Sequence, residues 1–110
     1  MQGPTSTVWQ TADARQLAAV LTAIDDVQTM QLFLRDVLTE KEIIEISARL
    51  KAAQLLQQGR KYTDIVAVTR LSSRTVARIS DWLQHGCGGY AAALQLIDTH
   101  RRDHIPPARA

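Results

Sequence analysis

Residues 63–83, TDIVAVTRLSSRTVARISDWL, form the stretch that decides the fold. Thr63 is placed to cap a short helix, which is followed by a turn of about three residues. Either Ser72 or Ser73 can then cap a second, longer helix that runs to about Gln84. A short helix, a tight turn and a longer helix make the layout of a helix-turn-helix.

The second of these helices has two chemically different sides. At about 100° per residue, Val76, Ile79 and Leu83 lie on one side of it. By the same rule, nearly the opposite side carries small, hydroxyl-bearing and charged residues, which are Ser73, Arg74, Ala77, Arg78 and Asp81. The helix is therefore predicted to bury its apolar side and to expose a polar side that contains two arginines.

The polar side of this helix suits the major groove of DNA. Arginine bonds bidentately to O6 and N7 of guanine, and small residues can contact the methyl group of thymine. The residues expected to contact bases are Arg74, Thr75, Ala77 and Arg78, and those expected to contact phosphate are Lys61, Thr63, Ser72 and Ser73. The alternative is that this side is the solvated surface of a structural helix.

The residues before this stretch also predict helices. A first helix covers about 12–24 with Thr11 as its cap, and its apolar residues fall on one face. A second helix runs to about Val37 and is predicted to bury apolar residues spaced three and four apart, which are Val27, Met30, Phe33, Leu34 and Val37. Thr39 and Glu42 have the spacing of a capping box, so a long central helix should begin there. Its apolar residues occupy more than one side, which is typical of a helix packed between other helices.

The predicted architecture is all-α. Gly59 should end the central helix in the left-handed conformation, and a last helix covers about 90–100. Strand signals are absent. The prediction is a six-helix domain at residues 11–100, flanked by flexible tails at 1–10 and 101–110.

Charge is distributed unevenly along the sequence. Residues 25–45 carry six acidic and two basic residues, a net of −4, whereas residues 49–78 carry seven basic residues and one acidic residue, a net of +6. The whole chain has a formal net charge of +2. A basic segment that overlaps the helix-turn-helix indicates a polyanionic partner, although a solvated basic surface would have the same composition.

Several classes of function are excluded by what the sequence lacks. No apolar run approaches the roughly 18 residues of a membrane span, and the first ten residues lack the features of a secretory leader. Cys87 is the single cysteine and cannot form an internal disulfide, so a cytoplasmic location is expected. His85 and Cys87 are too few to hold a structural metal ion, and common catalytic motifs are absent. We therefore expect no enzymatic activity, no cofactor and no membrane partner.

Several short segments together resemble the Trp repressor family. The similarity to the central helix of that family lies in LTEKE at 38–42, AR at 48–49 and LLQQG at 55–59. The similarity to its Trp-repressor-like branch, the YerC/YecD group, lies in YTDI at 62–65, SRTVARI at 73–79 and GGY at 88–90. The resemblance, over about residues 27–96, implies an intertwined homodimer whose reading helices enter successive major grooves of double-stranded DNA. It also implies transcriptional regulation, usually repression.

The resemblance also marks where this sequence departs from the family. In the Trp repressor two arginines hold the corepressor; Arg49 and Arg78 occupy those places, and Thr39 matches another residue of that pocket. The repressor has a glycine next to the second arginine and a serine three residues later, where this sequence has Ile79 and Trp82. These larger side chains would fill the pocket. The resemblance therefore implies a relic effector site to which L-tryptophan is not expected to bind, with any other effector unknown.

A second departure is Arg70, which stands at the turn where the family often has glycine. Either Arg70 takes a strained backbone conformation, or the turn differs locally. The sequence alone leaves both alternatives open.

Two functional hypotheses remain. The first is a sequence-specific DNA-binding transcriptional regulator, in this family usually a repressor, which reads the major groove with the helix near 73–84 and does not depend on tryptophan. The second is a helical dimerisation or protein-interaction module that retains the fold without reading DNA. Lys61, Arg74 and Arg78 favour the first hypothesis, whereas the modest net charge is compatible with the second.

Overall fold

The computed structural model describes the backbone of residues 7–104 and the side chains of residues 7–99. Within that range the chain forms a 3₁₀ turn at Thr7–Gln10 and six α-helices. The helices are α1 (Ala12–Ala23), α2 (Val27–Val37), α3 (Glu40–Gln57), α4 (Tyr62–Thr69), α5 (Ser73–His85) and α6 (Gly89–His104). No strand occurs among the described residues, and the all-α prediction is confirmed.

Helical structure reaches into both segments that the sequence predicts as tails. The 3₁₀ turn lies within the predicted N-terminal tail, and the Arg15 guanidinium ties it to α1 by donating to the Trp9 carbonyl oxygen at 3.0 Å. Helix α6 continues to His104, beyond the end predicted near residue 100. The rest of the predicted tails, residues 1–6 and 105–110, lies outside the described residues. None of the described helices is both long and apolar enough to cross a membrane.

The caps predicted for α1 and α3 are confirmed. Thr11 Oγ1 accepts a hydrogen bond from the Ala14 amide at 3.1 Å. Thr39 Oγ1 accepts from the Glu42 amide at 3.1 Å, and the Glu42 carboxylate accepts from the Thr39 amide at 2.9 Å. These bonds satisfy amides that the first turn of a helix cannot pair internally. Gly59 follows the end of α3 with a φ of 82°, as the sequence also predicts.

Asp26 caps α2, a role that sequence reasoning did not assign. Its carboxylate accepts a hydrogen bond from the Thr29 amide at 2.9 Å. Hydrogen bonds from the Thr29 backbone and side chain hold the pKa of Asp26 below its usual value, because they favour the charged carboxylate. The cap is therefore present at neutral pH and is lost as the pH falls through that lowered pKa.

Contacts divide the chain into two compact units, Met1–Ile46 and Ser47–Ala110. In the first unit, α1 and α2 contain no buried residue. The prediction that α2 buries its apolar residues is wrong for the single chain. Large apolar side chains of this unit are exposed on α1, α2 and the start of α3, and they include Leu17, Val20, Val27, Leu32, Val37, Ile44 and Ile46.

The second unit has an apolar core to which four helices contribute. Its buried residues are Ala52, Ala53 and Leu55 of α3, Ile65 of α4, Val76 and Ile79 of α5, and Leu94 of α6. No polar or charged residue is buried among the described residues. Helix α5 is thus fixed against a core of purely apolar side chains.

Helix α4 begins earlier than the sequence predicts, so Thr63 is not its cap. Lys61 occupies the N-cap position, and its side chain makes no capping hydrogen bond. With this start, the amide of the fully buried Ile65 donates to the Lys61 carbonyl oxygen at 3.0 Å. The observed start thus pairs this buried amide with the backbone, and a buried amide left unpaired costs about 1–3 kcal/mol.

The connection between α4 and α5 holds Arg70 in the left-handed conformation. Its φ is 66° and its ψ is 10°, and no other non-glycine residue of the described chain has a positive φ. The Arg70 amide donates to the Val66 carbonyl oxygen at 2.9 Å, which closes α4. Of the two alternatives for the turn, the strained backbone is therefore correct. The left-handed conformation costs a residue with a Cβ atom about 1–2 kcal/mol.

Replacing Arg70 by glycine should raise the free energy of unfolding by up to about 1 kcal/mol, because glycine adopts this φ without a steric clash. Arg70→Val should instead lower it by more than about 1 kcal/mol, since a β-branched side chain fits the left-handed region poorly. Urea denaturation at one fixed protein concentration measures both variants against the unmodified chain. Equal stabilities of the two variants would contradict a strained turn.

Candidate nucleic-acid interface

Helix α5 presents one exposed side, which we call the outer face of α5 and which consists of Ser73, Arg74, Ala77, Arg78, Asp81 and His85. On the other side of the helix, Val76 and Ile79 are completely buried. Burial of these two residues fixes the rotation of α5 about its own axis. The predicted division of this helix into an apolar and a polar side is confirmed.

The guanidinium groups of Arg74 and Arg78 are available to bind a ligand. The two residues lie about one helical turn apart, and both are exposed. Neither forms a hydrogen bond or ion pair with another described residue. A guanidinium presents N–H donors in a planar fork, which matches the two acceptors of guanine or of a phosphate group. The outer face therefore holds two exposed cations without protein partners in the described chain.

The N-terminus of α5 offers backbone amides rather than a free hydroxyl group. Ser72, and not Ser73, is the cap: its Oγ accepts from the Thr75 amide at 3.1 Å and donates to Thr75 Oγ1 at 3.0 Å. The Ser72 hydroxyl is thus already engaged, and Thr75 is half-buried. The amides of Ser73 and Arg74 have no hydrogen-bond partner within the described part of the chain. Amides in this position bind anions.

Lys61 and Thr63, the other two predicted phosphate contacts, lie at the start of α4. Lys61 directly precedes the helix, Thr63 lies in its first turn, and both are exposed. Neither side chain has a hydrogen-bond partner among residues 7–99. A cation at a helix N-terminus is unfavourable to the helix dipole. The ammonium group of Lys61 therefore does not stabilise α4 and is exposed to solvent.

The outer face also carries a pair of residues whose interaction sequence reasoning missed. His85 Nδ1 lies 3.2 Å from Asp81 Oδ1, and the two side chains are 71% and 69% exposed. The signal was present in the sequence, since residues four apart are neighbours on a helix. At the level of sequence, His85 is considered only as a metal ligand, and its contact with Asp81 is not predicted.

The residues of the predicted relic effector site lie in both units. Thr39 belongs to the first unit, where it caps α3. In the second unit, Arg49 is half-buried on α3, and α5 carries the other three residues. Ile79 is completely buried in the core, whereas Trp82 is 41% exposed. The side chain of Ile79 thus occupies the space that a glycine would leave next to Arg78.

The chain is similar in sequence to known proteins over most of its length. The profile of the family described as Trp repressor protein matches residues 12–98. The chain is also similar to the uncharacterised protein YerC of Bacillus subtilis, with 29% identity over 82 residues. That alignment covers 74% of this chain and 79% of YerC.

Two solved structures are similar in fold over most of the chain. A TrpR-like protein from Eubacterium eligens superposes with a TM-score of 0.79 at 28% identity, over 84% of this chain and 96% of that protein. A candidate Trp repressor from Staphylococcus aureus superposes with a TM-score of 0.75 at 26% identity, over 80% of this chain and 88% of that protein.

Proposed function

This chain belongs to the Trp repressor family, and from that membership we propose that it is a sequence-specific DNA-binding transcriptional regulator that acts as a repressor. The outer face of α5 is the observation that carries the proposal. It is exposed, and its two arginines have no partner within the described chain. In the proposal this face enters the major groove of double-stranded DNA, in the cytoplasm.

The proposed contacts follow the chemistry of each group. Arg74 and Arg78 contact guanine, and Ala77 is small enough to let the helix backbone approach the base edges. Lys61 and Thr63 contact phosphate, together with the free amides at the start of α5. Ser72 acts mainly as the cap of α5, because its hydroxyl group is hydrogen-bonded to Thr75. Since the Thr75 hydroxyl is engaged in the same bond, Thr75 contacts a base through its methyl group.

Arg74→Ala and Lys61→Ala should impair DNA binding in different ways. Loss of a base contact costs about 1–3 kcal/mol at the preferred site and relaxes the preference for guanine there. Loss of a phosphate contact weakens binding to all sequences alike and flattens the dependence of log K on log salt by about one unit. Mobility shifts on preferred and scrambled duplexes over a range of salt concentrations distinguish the two effects.

Lys41→Ala is the matched control, because it also removes an exposed lysine but lies in the acidic segment. It should leave both the affinity and the salt slope nearly unchanged. Identical losses on every sequence for Arg74→Ala would remove its base-reading role. Absence of salt-dependent binding by the unmodified chain would instead favour a dimerisation module that does not read DNA.

We further propose that the chain is an intertwined homodimer. The support is the first unit, in which α1 and α2 contain no buried residue although large apolar side chains such as Val27 and Leu32 lie on them. Exposed apolar area of this extent is unfavourable in water, and a second copy of the chain is the partner that family membership suggests.

Sedimentation equilibrium should therefore give a mass near twice the 12.2 kDa of the chain at micromolar concentration. Val27→Lys and Leu32→Lys together should shift the equilibrium towards the monomer, because each places a charge in an apolar interface. Val68→Lys serves as a control, because it places a lysine at an exposed apolar residue of the second unit. A 12.2 kDa species alone in the unmodified protein would contradict the dimer.

We also propose that DNA binding does not depend on L-tryptophan. Ile79 supports this proposal, because its side chain fills the position next to Arg78 and belongs to the core. Two cations without an open slot between them cannot stack on an indole ring. A ligand that is excluded from both states of a protein shifts no equilibrium between them.

Titration of L-tryptophan into the protein, followed by titration into the protein–DNA mixture, should give no saturable heat in a calorimeter. The DNA affinity should be the same with and without the amino acid. Saturable binding below about millimolar, accompanied by tighter DNA binding, would show that Trp82 and Ile79 leave room for the ligand; such binding is worth more than about 4 kcal/mol.

A further inference from the structure

Asp81 is the one acidic residue on the outer face of α5, which is the face that a polyanion would meet under the proposed function. Asp81 lies seven residues after Arg74, so the two side chains differ by only about 20° around the helix. Seven residues of α-helix span about 10 Å, which is close to the length of three base pairs. A helix that places Arg74 against a base edge therefore directs Asp81 towards the same groove.

The carboxylate of Asp81 is held in a particular way. Arg78 precedes Asp81 by three residues, a spacing at which opposite charges often pair. No such ion pair forms; instead Asp81 Oδ1 lies 3.2 Å from His85 Nδ1. The second oxygen, Oδ2, makes no hydrogen bond to any described residue. The pair with His85 thus leaves both the Arg78 guanidinium and one carboxylate oxygen available.

A carboxylate in the major groove can only accept hydrogen bonds, and this restricts which base it tolerates. Guanine presents only the acceptors O6 and N7, and thymine presents the acceptor O4. Adenine presents a donor beside the acceptor N7, whereas cytosine presents the N4 amino donor. An aspartate that faces a base edge therefore favours cytosine and penalises the acceptor-rich edges.

We propose that Asp81 is a specificity-determining residue that accepts a hydrogen bond from the N4 amino group of one cytosine in each half-site, and that His85 is the residue that positions its carboxylate. The proposal rests on the proposed function. It gives a reason for a negative charge on a face that binds DNA: Asp81 selects a base and does not add general affinity, because it repels phosphate wherever no amino group is present.

The test is selection from randomised duplexes with the unmodified chain and with Asp81→Asn and Asp81→Ala. The unmodified chain should select one cytosine in each half-site, which is bound about 5- to 150-fold more tightly than another base at that position. Asp81→Asn should shift the preference at that position towards adenine, since asparagine pairs bidentately with N6 and N7. Asp81→Ala should lose the preference and bind the other three bases more tightly than the unmodified chain does.

His85 is tested by a substitution and a rescue. His85→Ala should reduce the cytosine preference, and His85→Gln, which keeps a side-chain donor, should restore part of it. Base preferences at the positions contacted by Arg74 should not change. A general loss of helix structure would alter those preferences as well. Circular dichroism checks that each variant folds, as expected for substitutions at two side chains that are more than two-thirds exposed.

Two results would overturn the assignment. If both Asp81 variants select the same sequence as the unmodified chain and only bind every duplex more tightly, Asp81 is a repulsive charge and not a base reader. If the unmodified chain selects a sequence in which neither variant changes the preference for any cytosine, the assignment also fails. The chain would still be a sequence-specific DNA-binding protein in that case. An unmodified chain that selects no sequence would overturn the proposed function itself, and the Asp81 assignment with it.

Discussion

Two completely buried side chains, Val76 and Ile79, hold helix α5 in place by packing with core residues of α3, α4 and α6. Because successive residues of a helix are about 100° apart, burying these two determines which residues lie on the opposite side. The exposed arginines are positioned by this packing and not by interactions of their own, since they have none within the described chain. Apolar burial therefore sets the place and the orientation of the candidate DNA interface.

The fold could be predicted where it depends on residues that are close in the chain. The caps of α1 and α3 and the two sides of α5 are of this kind, because capping and helical periodicity act over three or four residues. The start of α4 could not be predicted, since it depends on the burial of the Ile65 amide by distant parts of the chain. The apolar sides of α1 and α2 were also visible in the sequence, but periodicity does not say what covers such a side.

The candidate site also has features that could be predicted from the sequence and features that could not. The exposure of Arg74 and Arg78 followed from periodicity, whereas the partner of Asp81 did not. Asp81 has Arg78 three residues before it and His85 four residues after it, and both spacings allow contact on a helix. Pairwise energies of a few tenths of a kcal/mol cannot decide between such partners from sequence. The three-dimensional arrangement makes the choice, and it leaves the arginine unpaired.

Under the proposed independence from L-tryptophan, Ile79 lies where stability of the core and recognition of a small molecule exclude each other. An Ile79→Gly change would open a cavity and weaken the helix, at a cost of about 2–5 kcal/mol for the lost side chain and about 1 kcal/mol for glycine. This is a large share of the roughly 5–15 kcal/mol that stabilises a typical domain. A molecule that filled the cavity would restore stability by mass action, to a degree set by its concentration relative to Kd. In such a variant the ligand would replace a missing part of the core, and the fraction of folded protein would report the ligand concentration.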